Sequence, residues 1–190
     1  MKKCIGVEVK PSPYFADRFR YFFKRFYSPE KLYRWFLTQA GEDSGEFNFP
    51  AALQGNPKTV VFLARDVDKS AAFLKAMPDS FFKNTILCAP EATQVLVSAK
   101  HAKAIYYTDS ECRFGETAFD ELLYKIKDFK PEVCIYLGEA FWPTLYLAKM
   151  CGANCRIGFA DEHCYPFLNV CLHPNKMSEA ALISQYYGVK

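Results

Sequence analysis

No stretch of the 190 residues is an apolar run of the ~20 residues a membrane-spanning helix needs. The start, Met1 to Lys10, is basic with only a broken apolar run, so no secretory signal is expected. No Gly-x-Gly-x-x-Gly follows a strand-like run, and no Gly-x-x-x-x-Gly-Lys occurs anywhere. Dinucleotide oxidoreductases and P-loop enzymes therefore lose their main support, and no cofactor is expected. Nothing resembles a nucleophile elbow, and there is no internal repeat or low-complexity tract.

What is present is a large apolar and aromatic content. Hydrophobic residues make up 51% and aromatics 17%, nearly all Phe and Tyr, enough for one well-buried domain with a short appendage. The eight cysteines are too many to pass over. Several lie inside apolar runs, such as Ile86-Leu87-Cys88 and Val133-Cys134-Ile135, where a thiol acts as a small buried hydrophobe. A secreted disulfide scaffold would be shorter and richer in loops, so reduced thiols and a cytoplasmic location are expected. Cys151, Cys155, His163, Cys164, Cys171 and His173 cluster in sequence but lack the tight Cys-x-x-Cys pairs of structural zinc sites. No metal is expected.

The net charge of +3 is uneven. Residues 1 to 40 hold nine Lys/Arg against three Asp/Glu, and the remainder is net acidic. Two helices are expected there. Phe15, Phe19, Phe22, Phe23 and Phe26 recur at helical spacing, with Arg18, Arg20, Lys24 and Arg25 between them. Ser28-Pro29-Glu30 reads as the start of the second helix and Gly41 as its stop. The residues Phe15, Arg18, Phe19, Phe22, Phe23 and Arg25 form a candidate docking face. It would meet an anionic membrane surface, a protein partner or a second copy, or else pack on the domain itself. Nucleic acid is not expected, because the basic residues are confined to this short region.

Gly41 to Asn56 reads as a linker, which divides the chain into residues 1–56 and a domain at 57–190. From Pro57 short apolar runs alternate with amphipathic stretches. Strands are expected at 59–64, 85–88, 104–107, 133–137 and 156–159, with a further extended run at 168–172. Helices are expected near 69–77, 91–98, 117–129, 141–150 and 178–187. This alternation predicts an α/β domain: a parallel, Rossmann-like sheet with helices on both faces, preceded by the two N-terminal helices. Its ligand edge would be the C-terminal ends of the strands.

Three segments carry a family resemblance. Phe129-Lys130-Pro131-Glu132-Val133-Cys134-Ile135-Tyr136-Leu137 is similar to a strand of the heptosyltransferase family, glycosyltransferase family 9. Leu145 to Phe159, ending Gly152-Ala153-Asn154-Cys155-Arg156-Ile157-Gly158-Phe159, resembles the segment that follows it in that family. Met177 to Val189 matches the helix closing the family's first domain. The resemblance implies one half of a two-domain glycosyltransferase fold, the acceptor-side half, from a pathway of bacterial cell-envelope polysaccharide at the inner membrane. Donor nucleotide-sugar sits mainly on the second domain of such enzymes, so this chain is expected to be catalytically incomplete alone. The family has an Ile-Gly-Asp turn at its first strand. Here Arg65-Asp66-Val67-Asp68-Lys69-Ser70 stands in its place without the glycine.

Asp66 and Asp68 are accordingly the candidate catalytic carboxylates, against a plainer role as a helix N-cap. Arg65, Lys69, Glu139, Trp142 and Arg156 are the candidate substrate-binding residues, for a sugar or nucleotide-sugar. The rival function is a non-catalytic binding or scaffold module that docks through its aromatic N-terminal helices.

Overall fold

The computed structural model describes residues 49–100, 102–112, 117–138, 141–159, 167–173 and 177–187. The two expected N-terminal helices, with Phe15, Arg18, Phe19, Phe22, Phe23 and Arg25, lie outside the described residues.

Six strands form one sheet: β1 (Thr59–Phe62), β2 (Thr85–Pro90), β3 (Lys103–Tyr107), β4 (Val133–Tyr136), β5 (Cys155–Phe159) and β6 (Val170–Leu172). Their order is β3-β2-β1-β4-β5-β6, and every neighbouring pair is parallel. The helices are α1 (Val67–Ala76), α2 (Asp79–Phe82), α3 (Gln94–Ser98), α4 (Thr117–Asp128), α5 (Trp142–Met150) and α6 (Glu179–Tyr186). The expected Rossmann-like α/β sheet is thus present, and the extended run near residue 170 is its sixth strand.

The inner strands β1 and β4 are buried at every position, which is why their sequences are continuous apolar runs without polar alternation. Val60, Phe62, Cys134 and Tyr136 face one side, where α4 and α5 bring Phe119, Leu123, Ile126, Leu145 and Leu147. Val61, Leu63, Val133 and Ile135 face the other, under α1, α2, α3 and α6. Cys88, Cys112, Cys134, Cys151 and Cys155 are buried as free thiols, while Cys171 is exposed. No group of three His, Cys, Asp or Glu side chains among the described residues could hold a metal ion.

Two local features lack a long-range pattern in the sequence. The helix α2 has only four residues, too few to show a period, yet it buries Phe81 and Phe82. A 3-10 turn at Ala51–Leu53 buries Leu53 fully, and the Phe49 ring lies 4.9 Å from that of Tyr186. Packing on the sheet therefore begins within the stretch that reads as linker.

The stretch from Cys155 to Phe159 has a packing reason for its residues. A Cβ on Gly158 would lie 2.3 Å from the Leu168 Cδ1, so a residue without a side chain lets the chain after β5 close over the strand. Arg156 is 4% exposed and lies near the N-terminal end of β5, two rows from the edge where the strands finish. Its Nε donates to the Phe167 carbonyl at 2.7 Å and its Nη1 to the Ala153 carbonyl at 2.9 Å. Asn169 completes the brace: Oδ1 accepts from the Arg156 amide at 2.8 Å and Nδ2 donates to the Asn154 carbonyl at 2.7 Å. No helix among the described residues is long and apolar enough to cross a membrane.

Candidate functional site

The chain builds β1, β2 and β3 in one direction, then returns to lay β4 on the other side of β1. Loops leaving β1 and β4 consequently diverge to opposite faces, and the crevice between them is where ligands of such sheets sit. A cavity of about 100 Å³ occupies this place, lined by Leu63, Arg65, Tyr107, Tyr136, Gly138, Phe141 and Thr144.

Each lining residue is placed by the end of a strand or the start of a helix. Leu63 and Arg65 follow β1, Tyr107 closes β3, and Tyr136 closes β4. Gly138 leaves little space for a side chain: a Cβ there would lie 3.0 Å from the Tyr136 ring and hydroxyl. Phe141 is the N-cap of α5 and offers no side-chain cap, and Pro143 follows in the first turn, where a missing N–H costs nothing. Thr144 donates from Oγ1 to the Phe141 carbonyl at 3.0 Å, and its oxygen meets the Tyr136 hydroxyl at 2.7 Å. The positive end of the α5 dipole therefore lies along the cleft wall.

Arg65 is the cation of the site. Its guanidinium lies 3.8 Å from the centre of the Phe141 ring, and its Nη2 donates to Asp109 Oδ1 at 2.8 Å. The pair is open to solvent, with Arg65 43% and Asp109 68% exposed, so it contributes little to stability, roughly 0–1 kcal/mol. Asp109 is presented by a tight turn after β3. There Glu111 Oε2 accepts from the Thr108 amide at 2.7 Å and from its hydroxyl at 2.9 Å. These bonds hold the Glu111 carboxyl below the usual carboxylate range. Behind the turn, burial pushes the Cys112 thiol up to about 12, with Asp109 adding to the effect and Arg65 opposing it.

Tyr107 is 4% exposed, and burial raises its phenol pKa far above the ordinary value, with Cys112, Tyr136 and Cys88 adding and Arg65 opposing. It therefore stays protonated and remains a hydrogen-bond donor across the physiological range.

The other candidates fall elsewhere. Asp66 is the N-cap of α1: its Oδ1 accepts from the amides of Asp68 at 2.9 Å and Lys69 at 3.2 Å. Asp68 is exposed in the first turn of α1. Lys69 pairs with Glu179 at 2.9 Å, which ties α1 to α6. Trp142 is half-buried at the first position of α5, its ring 6.2 Å from that of Phe167. Glu139 lies outside the described residues. Arg156 braces the opposite edge of the sheet. Of the proposed catalytic and substrate-binding residues that are described, Arg65 is among the cleft-lining ones.

Tyr107, Tyr136, Phe141 and Asp109 were not among the candidates. One signal could have found the two tyrosines: each ends an apolar strand with a hydroxyl-bearing side chain at the edge where ligands bind. No carboxylate lines the cavity among the described residues. The arrangement can accept an anion or a polyol, and the described residues lining it include no positioned base. Comparisons with family models, curated proteins and solved structures found no match.

Proposed function

We propose that this chain is a glycosyltransferase-related domain of the acceptor-side kind, which holds a small sugar-type ligand in its switch-point cleft and does not transfer sugar with these residues alone. The carrying observation is the cleft itself, at the divergence of β1 and β4, with an aromatic wall, three hydroxyls and one arginine. Its volume supports the incompleteness. At about 100 Å³ it is smaller than the ~300–1,000 Å³ of pockets that enclose a whole small molecule, so it takes one ring or head group and not a nucleotide-sugar. The family resemblance of Phe129–Leu137 and Leu145–Phe159 supports the same reading.

A second reading, a non-catalytic binding module, is favoured by one feature: among the described residues no carboxylate lines the cavity, and Asp66 is engaged as a helix cap. Docking through Phe15, Arg18, Phe19, Phe22, Phe23 and Arg25, to a partner, a second copy or an inner-membrane surface, belongs to that reading.

The test is a titration of the full chain, followed by amide NMR, with a neutral hexose, a hexose 1-phosphate and a nucleotide diphosphate sugar. We expect shifts centred on Leu63, Arg65, Tyr107, Gly138 and Thr144, and no consumption of the nucleotide-sugar. Shifts centred elsewhere would remove the site, and transfer by the chain unaided would remove the claim of incompleteness.

A further inference from the structure

Resting on the cleft reading above, we infer that the ligand carries an oxyanion that takes the place of Asp109 on Arg65 while accepting a hydrogen bond from the Tyr107 hydroxyl. Asp109 is then a built-in competitor that occupies the anion position until the ligand arrives.

Three observations converge on this exchange. First, Arg65 is held from both sides, by the Phe141 ring at 3.8 Å and by a single contact to Asp109 at 2.8 Å. A guanidinium has five N–H donors arranged as a fork, and among the described residues Arg65 uses Nη2 alone. The stack fixes the plane of the guanidinium, so its remaining donors point in set directions without further ordering. Second, the competitor is easily displaced. Asp109 is two-thirds exposed, recovers its hydration on release, and bonds Arg65 through one oxygen, whereas a phosphate or carboxylate can engage the fork through two. Third, Tyr107 holds an unclaimed donor. Its hydroxyl has no hydrogen bond among the described residues, yet none of their buried side-chain polar atoms lacks a partner. The hydroxyl must therefore reach solvent, and the solvent that Tyr107 borders is in the cleft it lines. A phenol kept protonated beside a cation is a donor suited to an oxyanion and adds no charge of its own.

The experiment measures affinities of the full-length chain for a hexose 1-phosphate, the corresponding hexuronate and the neutral hexose, by calorimetry at fixed low salt. For both anionic sugars, Asp109→Asn is expected to tighten binding by about fivefold, and Arg65→Gln to weaken it by about tenfold or more. Tyr107→Phe is expected to weaken it by about fivefold. The neutral hexose should respond to Tyr107→Phe alone. The ratio of the two anionic affinities tells phosphate from carboxylate. Glu111→Gln removes a charge of the same sign from the same turn without touching Arg65, and it should leave all affinities within about twofold. If Asp109→Asn and Glu111→Gln tighten binding equally, the effect is a general field and the exchange is wrong. If the neutral hexose binds as well as its anionic forms, the oxyanion inference fails while the cleft reading stands. If none of the three sugars binds the unmutated chain or Asp109→Asn, the cleft reading falls with it.

Discussion

Arg156 and Arg65 stand at opposite edges of one sheet and meet opposite environments. At the edge where the strands begin, Arg156 is buried, donates to two carbonyls and belongs to a brace completed by Asn169. Thr59 and Tyr187 share a buried hydrogen bond of 2.5 Å nearby, and Thr59 also donates to the Pro57 carbonyl. At the edge where the strands end, Arg65 is half-open, stacks on Phe141 and makes one contact to an exposed carboxylate. One edge has its polar groups satisfied internally; the other leaves donors facing a cavity. The same residue type is a structural tie in the first place and a receptor in the second, because burial and partner count decide the role.

The comparison can be broken most decisively at Arg156. Arg156→Met should leave the Phe167 and Ala153 carbonyls without their charged donor and cost about 3 kcal/mol or more, read from the urea midpoint at constant slope. A variant of near-normal stability would show that the brace is dispensable.

A pH series sharpens the contrast next. Burial raises the thiols of Cys155 to about 11 and Cys112 to about 12, and lifts Cys88 well above its ordinary range. Unfolded thiols titrate near ~8.5, so above that pH the unfolded chain binds fewer protons than the folded one. The stability these groups supply is complete below ~8.5 and is lost as pH rises through the folded values. Melting temperatures should be flat from pH 7 to 8 and fall steadily from pH 9 to 11, and Cys155→Ala should make that fall shallower.

Tyr187→Phe removes a buried donor while Thr59 keeps its bond to Pro57. The loss should be about 1 kcal/mol, a drop of roughly 2–4 °C in Tm. The smallest effect belongs to the open edge: Arg65→Gln should change unfolding free energy by less than about 0.5 kcal/mol while weakening anion binding about tenfold or more. A large destabilisation there would erase the distinction between the two edges.

Much of the fold was legible in the chain. Thr59–Phe62 and Val133–Tyr136 are unbroken apolar runs because both of their faces are covered, and helical periods separate them from their neighbours. Asp66 was weighed as a helix cap, and it does accept from first-turn amides, as Ser178 does at the start of α6. The four-residue α2 was not legible, since it is shorter than two turns and is held by the burial of Phe81 and Phe82. The cleft was legible only at Arg65. Charge alone drew attention to Asp66, Asp68 and Lys69, but proximity to a strand end does not say whether a side chain turns to a helix, a neighbouring ion or a cavity.

Local sequence by itself determined most of the strands and helices and that the inner strands β1 and β4 are buried on both faces, because hydrophobic period acts over a few residues. Only the tertiary structure decided that β4 lies beside β1, and so that Arg65 meets Asp109, 44 residues along the chain, and the ring of Phe141. Strand order is a property of long connections and of two packed faces competing for cover. No short-range pattern encodes it, and the cleft exists because of it.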